Sequence, residues 1–403
     1  MSPLLRDARK RIAPYVLAAL AVLAVMLVTA SFTGQWPIGR NPYRSYVLQA
    51  CAWLEGRLDL GQDYPWLELA IVDGKYYVSF PPFPSYVLLP FAAIFGQQTP
   101  DHMIAWAVTL LGVLYAVRLY QLTRRDGKAA FWVLFLYLGT GYLFISMNAY
   151  VWFIAQTMCF TLSLMALVHA RQGQGGIALA CWACAVGCRP MAALYLPILV
   201  WLLWRDKGSL SLGRWMLKRW YWALPTLVIA GSYMALNQAR FGNPFEFGHN
   251  YLPEFVRAPE GQFSLTYFKE NFRLLLRLPG WDANNRQAIF FTGQTMAFWL
   301  INPMYFSIAA ALAYGLIRER GLPAATMLPV MVALHVVILC CHRTLGGWQF
   351  GNRYLLDMMP WLFYGMLLWM PEDDRLARWS VLFFMWGFAI NVIGTVATYN
   401  NWI

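Results

Sequence analysis

The polar stretch at residues 55–86 carries the side chains best suited to chemistry. It holds five carboxylates, which are Glu55, Asp59, Asp63, Glu68 and Asp73. Glu68 lies in the apolar run WLELAIV, and burial near a membrane boundary raises the pKa of a carboxylate toward that of a useful general base. Asp73 begins the turn sequence DGKYY and lies close to Lys75. We therefore predict that Glu68 and Asp73 are catalytic, whereas the first three carboxylates solvate the loop.

The residues after Asp73 are suited to binding a sugar phosphate. Lys75 could hold a phosphate as a point charge. Tyr76 and Tyr77 offer flat faces for sugars and hydroxyl groups for hydrogen bonds. The prolines that follow in KYYVSFPPFPSY make the backbone rigid. A packed aromatic loop at the membrane interface is the alternative interpretation.

A second polar segment, HRTLGGWQFGNRYLLD, covers residues 342–357 and lies between apolar runs. Its polar groups are candidate ligands for a lipid phosphate, and they are His342, Arg343, Asn352, Arg353 and Asp357. The spacing of Arg353 and Asp357 places them on one face if a helix has begun. They could then form a pair that locks two helices, or the arginine could grip a phosphate.

Arg189 is a further candidate for phosphate binding. It precedes Pro190, where the apolar segment 176–204 is expected to break. Broken helices expose free backbone groups, and such breaks usually line a cavity. The nearby Cys181, Cys184 and Cys188 share a helical face, but one face of one helix cannot surround a tetrahedral metal ion. The residues alone therefore predict no metal site.

The composition is typical of a membrane protein with many spans. The chain has 403 residues, of which 60% are hydrophobic and only 12% charged, and its mean hydropathy is +0.47. Soluble domains carry about 25% charged residues. The net charge of +12 comes from short basic clusters between apolar runs. This pattern indicates membrane topology and no nucleic-acid partner.

The apolar runs predict an all-α, polytopic fold of roughly 9–11 transmembrane helices, because each crossing needs about 20 apolar residues. The segment 83–97 is predicted to dip into the membrane, and 176–204 to form a broken hairpin. The first run is predicted to remain as an uncleaved span. The predicted spans are 13–31, 103–121, 129–147, 150–168, 219–238, 297–317, 323–341, 355–371 and 379–396.

The basic residues set the orientation of the predicted spans. With a cytoplasmic N-terminus, the cytoplasmic segments hold 18 of the 31 basic residues but only 7 of the 19 acidic ones. The chain is then one integral membrane domain, in which 43–58 forms an amphipathic helix on the outer surface. Its predicted parts are a first span (13–31), a first outer loop (32–102), central spans (103–239), a second outer loop (240–296) and C-terminal spans (297–403) with the outer segment 342–357.

Several short motifs resemble the GT-C superfamily of multispan glycosyltransferases that use polyprenyl-phosphate sugars. This superfamily includes bacterial relatives of protein mannosyltransferases and aminoarabinose transferases. The motifs are the first outer loop with its surface helix and DGKYYVSFPP, the Arg-Pro break in GCRPMAALYLP, RFGNPFEFGHNY, and GGWQFGNRYLLDMMP.

The resemblance implies a sugar transfer at the outer face of the cytoplasmic membrane. The phosphate of a lipid-linked donor would be held by basic groups or by a divalent metal. An outer-loop acid would deprotonate the acceptor, which attacks the anomeric carbon with inversion. By position, Lys75 matches the loop lysine, and Arg189 and Arg353 are candidates for phosphate contacts.

One position departs from the pattern of the superfamily. Its members usually carry an acid at the start of the surface helix, where this chain has Asn41 and Arg44. Either Glu68 or Asp73 supplies the base, or the protein binds or transports a lipid-linked sugar without transferring it. A transporter should place ionisable residues near the middle of its spans, often in inverted repeats. The charges here concentrate at one face, which favours an enzyme over a transporter or an assembly partner.

Overall fold

A computed structural model of the protein describes residues 3–39, 41–205, 211–282, 287–289, 296–318 and 323–402. The order of elements is α1 (Pro3–Thr33), α2 (Ser45–Leu54), β1 (Leu69–Val72), β2 (Lys75–Val78), α3 (Phe83–Phe95), α4 (Asp101–Thr123), α5 (Ala129–Leu138), α6 (Tyr142–Ser146), α7 (Val151–Arg171), α8 (Gly175–Val186), α9 (Leu196–Arg205), α10 (Leu212–Arg219), α11 (Leu224–Phe241), α12 (Pro253–Val256), α13 (Phe268–Leu275), β3 (Gly280–Asp282), β4 (Gln287–Ile289), α14 (Phe298–Ile301), α15 (Met304–Arg318), α16 (Pro323–Cys341), α17 (Met359–Trp369) and α18 (Arg375–Tyr399).

Within the described ranges, four helices are long and apolar enough to cross a membrane. They are Arg11–Thr33 in α1, all of α4, all of α7 and all of α18. Each has at least 21 residues, and about 20 suffice for the hydrocarbon core. Shorter apolar helices, such as α15 and α8, accompany them. The chain is thus an integral membrane protein with a helical fold.

Two predicted spans are interrupted in the structure. The predicted span 129–147 divides into α5 and α6 at Gly139–Gly141, where the Gly141 N–H donates to Asn302 Oδ1 at 2.9 Å. The segment 176–204 divides into α8 and α9, joined by a 3₁₀ turn at Pro190–Tyr195. The Arg189-Pro190 step predicted this second break, because proline cannot continue the hydrogen bonding of α8.

The helix α7 lies in the middle of the packing. Most of its residues are buried, and it packs against α4, α8 and α17. A single large apolar cluster joins these helices to α1, α5 and α16. This packing fixes the start of α7, at Val151 and Trp152, beside the outer segments that carry the candidate site residues.

The helix α2 does not lie exposed on a surface, which corrects the sequence prediction. Its residues from Ser45 to Ala52 are buried, and it packs against α3. Gln49, a polar residue of this helix, is 0% exposed, and its Oε1 accepts from Ser85 Oγ at 2.8 Å. Ser85 in α3 satisfies this polar group, so the polar face of α2 packs against protein.

Two short hairpins depart from the all-α prediction. The strands β1 and β2 pair antiparallel, with Leu69 opposite Val78 and Val72 opposite Lys75. Asp73 and Gly74 form the connecting turn with φ values of 50° and 72°. Asp-Gly is a favoured pair for such a two-residue turn. The sequence predicted this tight turn, but not the strands on either side of it. The strands β3 and β4 form a second antiparallel pair.

Candidate active site

A cavity of about 280 Å³ lies where five segments of the chain meet. Its walls come from the hairpin end after β2, the start of α7, the break after α8, the segment 245–250, and the chain on both sides of the α16 end. Its polar wall residues are Trp152, Arg189, Glu246, His249, Asn250, Gln262, His335, His342, Tyr354 and Asp357. Aromatic and apolar side chains line the rest, as in ordinary ligand pockets.

Arg189 is the cationic group best placed to bind an anion in this cavity. Its Nε donates to Asp357 Oδ2 at 2.9 Å, and Gln156 Nε2 donates to Asp357 Oδ1 at 2.6 Å. Burial alone would lower the pKa of Arg189, but Asp357 holds that pKa above its usual value. Among the described residues, none hydrogen-bonds to either Nη group of Arg189. The guanidinium is therefore fixed at one edge and free at the other.

Tyr354 links the two predicted phosphate-binding arginines. Its ring centroid lies 4.7 Å from the guanidinium carbon of Arg189 and 4.5 Å from that of Arg353. Arg353 is only 3% exposed, and its Nε and Nη1 find no hydrogen-bond partner among the residues that the structure describes. Burial lowers the pKa of Arg353. The structure thus encloses Arg353 behind Tyr354 and leaves Arg189 at the cavity wall.

The spacing of Arg353 and Asp357 suggested that these two residues could pair. Instead, the Asp357 carboxylate accepts from Arg189 and Gln156, across 168 and 201 residues of sequence. Gln156 Nε2 also donates to the Arg353 carbonyl at 2.6 Å. The arginine that pairs with Asp357 is therefore Arg189 and not Arg353.

Glu68 lies beside the cavity without forming part of its wall. Its Oε2 accepts from Trp152 Nε1 at 3.0 Å, and Trp152 is a wall residue. Burial raises the pKa of Glu68, and the Trp152 hydrogen bond offsets part of that increase. The burial predicted for the WLELAIV run therefore produces the expected direction of shift.

The structure does not bring Asp73 and Lys75 to the cavity. Both lie at the exposed turn of the β1–β2 hairpin. Tyr76 is half-buried, and Tyr77 is buried with its ring 5.5 Å from that of Phe241. Glu68, Asp73 and Lys75 therefore do not surround one cavity, although Glu68 bonds to the wall residue Trp152. The turn brings Asp73 close to Lys75, as predicted. It also lies at the far end of the hairpin, so both side chains are kept away from the cavity.

The predicted residues of the segment 342–357 divide into two groups. His342 lines the cavity, where its Nε2 lies 3.1 Å from Gln262 Nε2. Arg343 donates from Nη1 to the Glu254 carbonyl and is not a wall residue. Asn352 is 1% exposed, and within the described part of the chain neither atom of its side-chain amide has a hydrogen-bond partner. Their predicted binding roles remain predictions.

A buried carboxylate lies where the superfamily pattern expects an acid. Asn41 Nδ2 donates to Asp101 Oδ2 at 2.7 Å and to the Ala149 carbonyl at 2.7 Å. His102 follows, and its Nδ1 lies 3.1 Å from the Gly39 carbonyl. The adjoining space has no room for a water molecule. This cluster fastens the start of the first outer loop to α4, and it was not predicted because Asp101 is 60 residues from Asn41 in sequence.

Sequence reasoning also missed His249, which lines the cavity. Its motif, RFGNPFEFGHNY, carried only a resemblance to the superfamily and gave no separate signal for the histidine. Within the described ranges, no three histidine, cysteine or acidic side chains converge as a metal-binding group. No chemical step is assigned to the divalent metal that the resemblance allowed.

The comparisons with known proteins identify the fold. No protein-family model matches the sequence, and no curated protein matches it by sequence. The solved structure of ArnT from Cupriavidus metallidurans bound to undecaprenyl phosphate is similar, with a TM-score of 0.55 and 18% identity over 94% of this chain. The apo form of that protein gives a TM-score of 0.52, 18% identity and 92% coverage.

A second similar structure is the Archaeoglobus fulgidus oligosaccharyltransferase in the apo form. It gives a TM-score of 0.50 and 12% identity over 96% of this chain. The chain spans 63% of the ArnT structure bound to lipid, 62% of its apo form and 56% of the oligosaccharyltransferase. These likenesses show that the chain shares the fold of these transferase structures, the fold class that the motifs predicted.

Proposed function

We propose that this GT-C-fold protein is a membrane glycosyltransferase that moves a sugar from a polyprenyl-phosphate donor to an acceptor at the extracytoplasmic face. One observation carries the proposal: Arg189 lines the cavity, Asp357 fixes its Nε, and no described residue hydrogen-bonds to either of its Nη groups. A guanidinium fork suits a phosphate. The similar ArnT structure contains undecaprenyl phosphate, which supports a lipid phosphate as the ligand.

Arg189 would act on the donor side of the reaction. As the bond between the anomeric carbon and the phosphate oxygen breaks, negative charge develops on the departing polyprenyl phosphate. A fixed cation stabilises that charge without having to reorganise. The Asp357 and Gln156 contacts, together with the Tyr354 ring, hold the guanidinium in one orientation. The Arg353 guanidinium also lies over that ring.

The acceptor side of the proposal requires a base and an inverting attack. The sequence predicted an outer-loop carboxylate for this role. Of its two candidates, Glu68 bonds to a wall residue but does not itself line the cavity. Glu68 is half-buried, has a raised pKa and bonds to the wall residue Trp152. The catalytic assignment of Asp73 and the phosphate-binding assignment of Lys75 stay sequence predictions, because neither residue lines the cavity.

The proposed membrane arrangement follows the distribution of charge. We infer a cytoplasmic N-terminus and a place in the cytoplasmic membrane of a bacterial-type envelope, with the cavity at the outer face. The shorter apolar helices would complete the roughly 9–11 predicted crossings. Exposed apolar residues on α1 and α18, such as Leu20 and Ile393, would then contact lipid. Membrane lipid would thus surround the apolar helices and also carry the sugar that is transferred.

A transfer assay with purified protein tests the proposal. Polyprenyl-phosphate sugars with a radiolabelled sugar would be supplied with a membrane lipid extract as the source of acceptor, and transferred or released label would be measured. We expect turnover by the wild type and its loss in Arg189→Gln. Arg273→Gln is the matched control, since that arginine of α13 is exposed and lies off the cavity wall. If the wild type turns over no donor but moves a lipid-linked sugar across a bilayer, the transporter alternative is correct.

A further inference from the structure

His249 is held in the cavity wall by its own local sequence. It begins a 3₁₀ turn at His249–Tyr251, directly after Gly248, whose φ is 106°. A Cβ at Gly248 would lie 2.9 Å from the Phe241 ring and 3.1 Å from Ser79 Cα. Only glycine permits both this φ and this close approach of two backbones. The approach brings the His249 ring to the end of β2.

The contacts of His249 define which of its nitrogens carries hydrogen. Its Nδ1 is hydrogen-bonded to the Ser79 carbonyl. A carbonyl can only accept, so Nδ1 must carry the hydrogen, and a neutral ring then has its lone pair on Nε2. The Phe80 ring packs against the imidazole at 5.2 Å and Phe255 stacks on it at 6.0 Å. Three neighbours, Ser79, Phe80 and Phe255, therefore fix the orientation of the ring.

The Nε2 atom of His249 is available to a ligand. None of the described residues hydrogen-bonds to it, although the ring belongs to the cavity wall. Burial lowers the pKa of His249 to about 4, which the Ser79 carbonyl opposes. The other charged or titratable groups acting on it are His342, Arg189 and Glu246. At neutral pH the ring therefore presents an unprotonated nitrogen.

Glu68 provides a useful contrast with His249. Its Oε2 is bonded to Trp152, and it reaches the cavity only through that indole. An acceptor hydroxyl in the cavity would meet the wall, which includes His249 and not Glu68. A general base must lie within hydrogen-bond reach of the proton that it removes. Geometry thus favours the histidine for the first contact.

We propose that His249 is a catalytic residue that accepts the hydrogen bond of the acceptor hydroxyl at Nε2 and removes its proton. This inference rests on the proposed function and assigns the acceptor side of the same site. The acceptor oxygen forms its bond to the anomeric carbon as the bond to the phosphate oxygen breaks, and that electron pair leaves on the phosphate. The proton on Nε2 then passes to the released phosphate or to water.

Two substitutions separate this role from a purely structural one. In His249→Asn the side-chain amide can still donate to the Ser79 carbonyl, as Nδ1 does, but nothing replaces the Nε2 lone pair. In His249→Gln the amide oxygen reaches the Nε2 position and can accept a hydrogen bond, without acting as a base. Single-turnover rates, polyprenyl phosphate binding and the pH profile would be measured for the full chain, with Glu68→Gln alongside.

We expect His249→Asn to lose about 10²–10⁴-fold in rate, the usual contribution of a general base, with polyprenyl phosphate binding unchanged. His249→Gln should retain part of the orientation and lie between wild type and His249→Asn. The acid limb of the wild-type pH profile should vanish in His249→Asn and persist in Glu68→Gln. Near-normal turnover in His249→Asn would overturn the inference, as would a Glu68→Gln variant that alone removes the acid limb.

The binding measurement distinguishes the two proposals. If wild type and His249→Asn bind polyprenyl phosphate equally and only the wild type turns over, both proposals hold. If the wild type turns over and His249→Asn does so equally well, the proposed function stands and the role of His249 falls. If the wild type neither transfers nor releases sugar, the proposed function falls, and the role of His249 falls with it.

Discussion

Replacing Arg189 by lysine separates the two tasks that we assign to its guanidinium. The arginine donates from Nε to Asp357 and offers both Nη groups to the cavity. A lysine keeps the positive charge but has one ammonium group, which cannot occupy both positions. If it stays with Asp357, the phosphate loses its fork. If it moves to the phosphate, the buried carboxylate loses its partner.

The expected size of the effect follows from the bonds lost. Each hydrogen bond to a charged group contributes about 1.5–3 kcal/mol, and about 1.4 kcal/mol corresponds to a tenfold change in affinity. Arg189→Lys should therefore weaken the binding of a short-chain polyprenyl phosphate by about 10- to 100-fold. Competition against a labelled lipid in detergent micelles measures this directly. Binding equal to that of the wild type would refute the assignment.

A paired variant guards against a trivial loss of folding. Removing Arg189 alone leaves Asp357 unpaired with its side chain 2% exposed, and breaking a buried pair costs about 3–5 kcal/mol. The double variant Arg189→Gln with Asp357→Asn removes both charges and preserves an acceptor for Gln156. We expect this variant to keep the fold, as thermal unfolding would show, and to lose lipid phosphate binding.

Three further predictions concern local features of the fold. Burial raises the pKa of Glu68 above its usual value of 4.5. The folded state therefore binds more protons than the unfolded state as pH rises from that value, and the stability of the protein falls. Glu68→Gln should unfold at a higher temperature than wild type at pH 8, with the difference shrinking toward pH 4.5. Gly248→Ala should destabilise the protein by about 1–3 kcal/mol and reduce turnover. Gly242 has a φ of 67°, and a Cβ there would meet no described atom within 4 Å. Gly242→Ala should therefore show the backbone strain without loss of turnover. Asp101→Ala should cost about 1.5–3 kcal/mol in unfolding free energy by removing the partner of Asn41, and a large loss of turnover without a loss of stability would contradict its structural role.

Local sequence signals predicted the features that depend on neighbouring residues. Proline after Arg189 predicted the break between α8 and α9, and the Asp73-Gly74 pair predicted the turn. Both signals act through backbone geometry within a few residues. The apolar runs likewise predicted long helices such as α7, because the length needed to cross a membrane is fixed.

Contacts between distant residues were not predictable from one sequence. Spacing suggested that Asp357 pairs with Arg353, yet its partner is Arg189, 168 residues away. The Asp73 turn was correct, but its position relative to the cavity depends on where the hairpin packs. The sequence shows a glycine before His249, but the positive φ and the close contacts of Gly248 are apparent only in the structure.

The central claim is that the cavity beside Arg189 holds the phosphate of a lipid-linked sugar. An experimental structure of the full chain with a bound polyprenyl phosphate tests it most directly. We predict phosphate oxygens within hydrogen-bond distance of the Arg189 Nη groups, and the Arg189–Asp357 bond retained. A phosphate bound at the exposed β1–β2 turn beside Lys75, with the cavity free of lipid, would contradict the account.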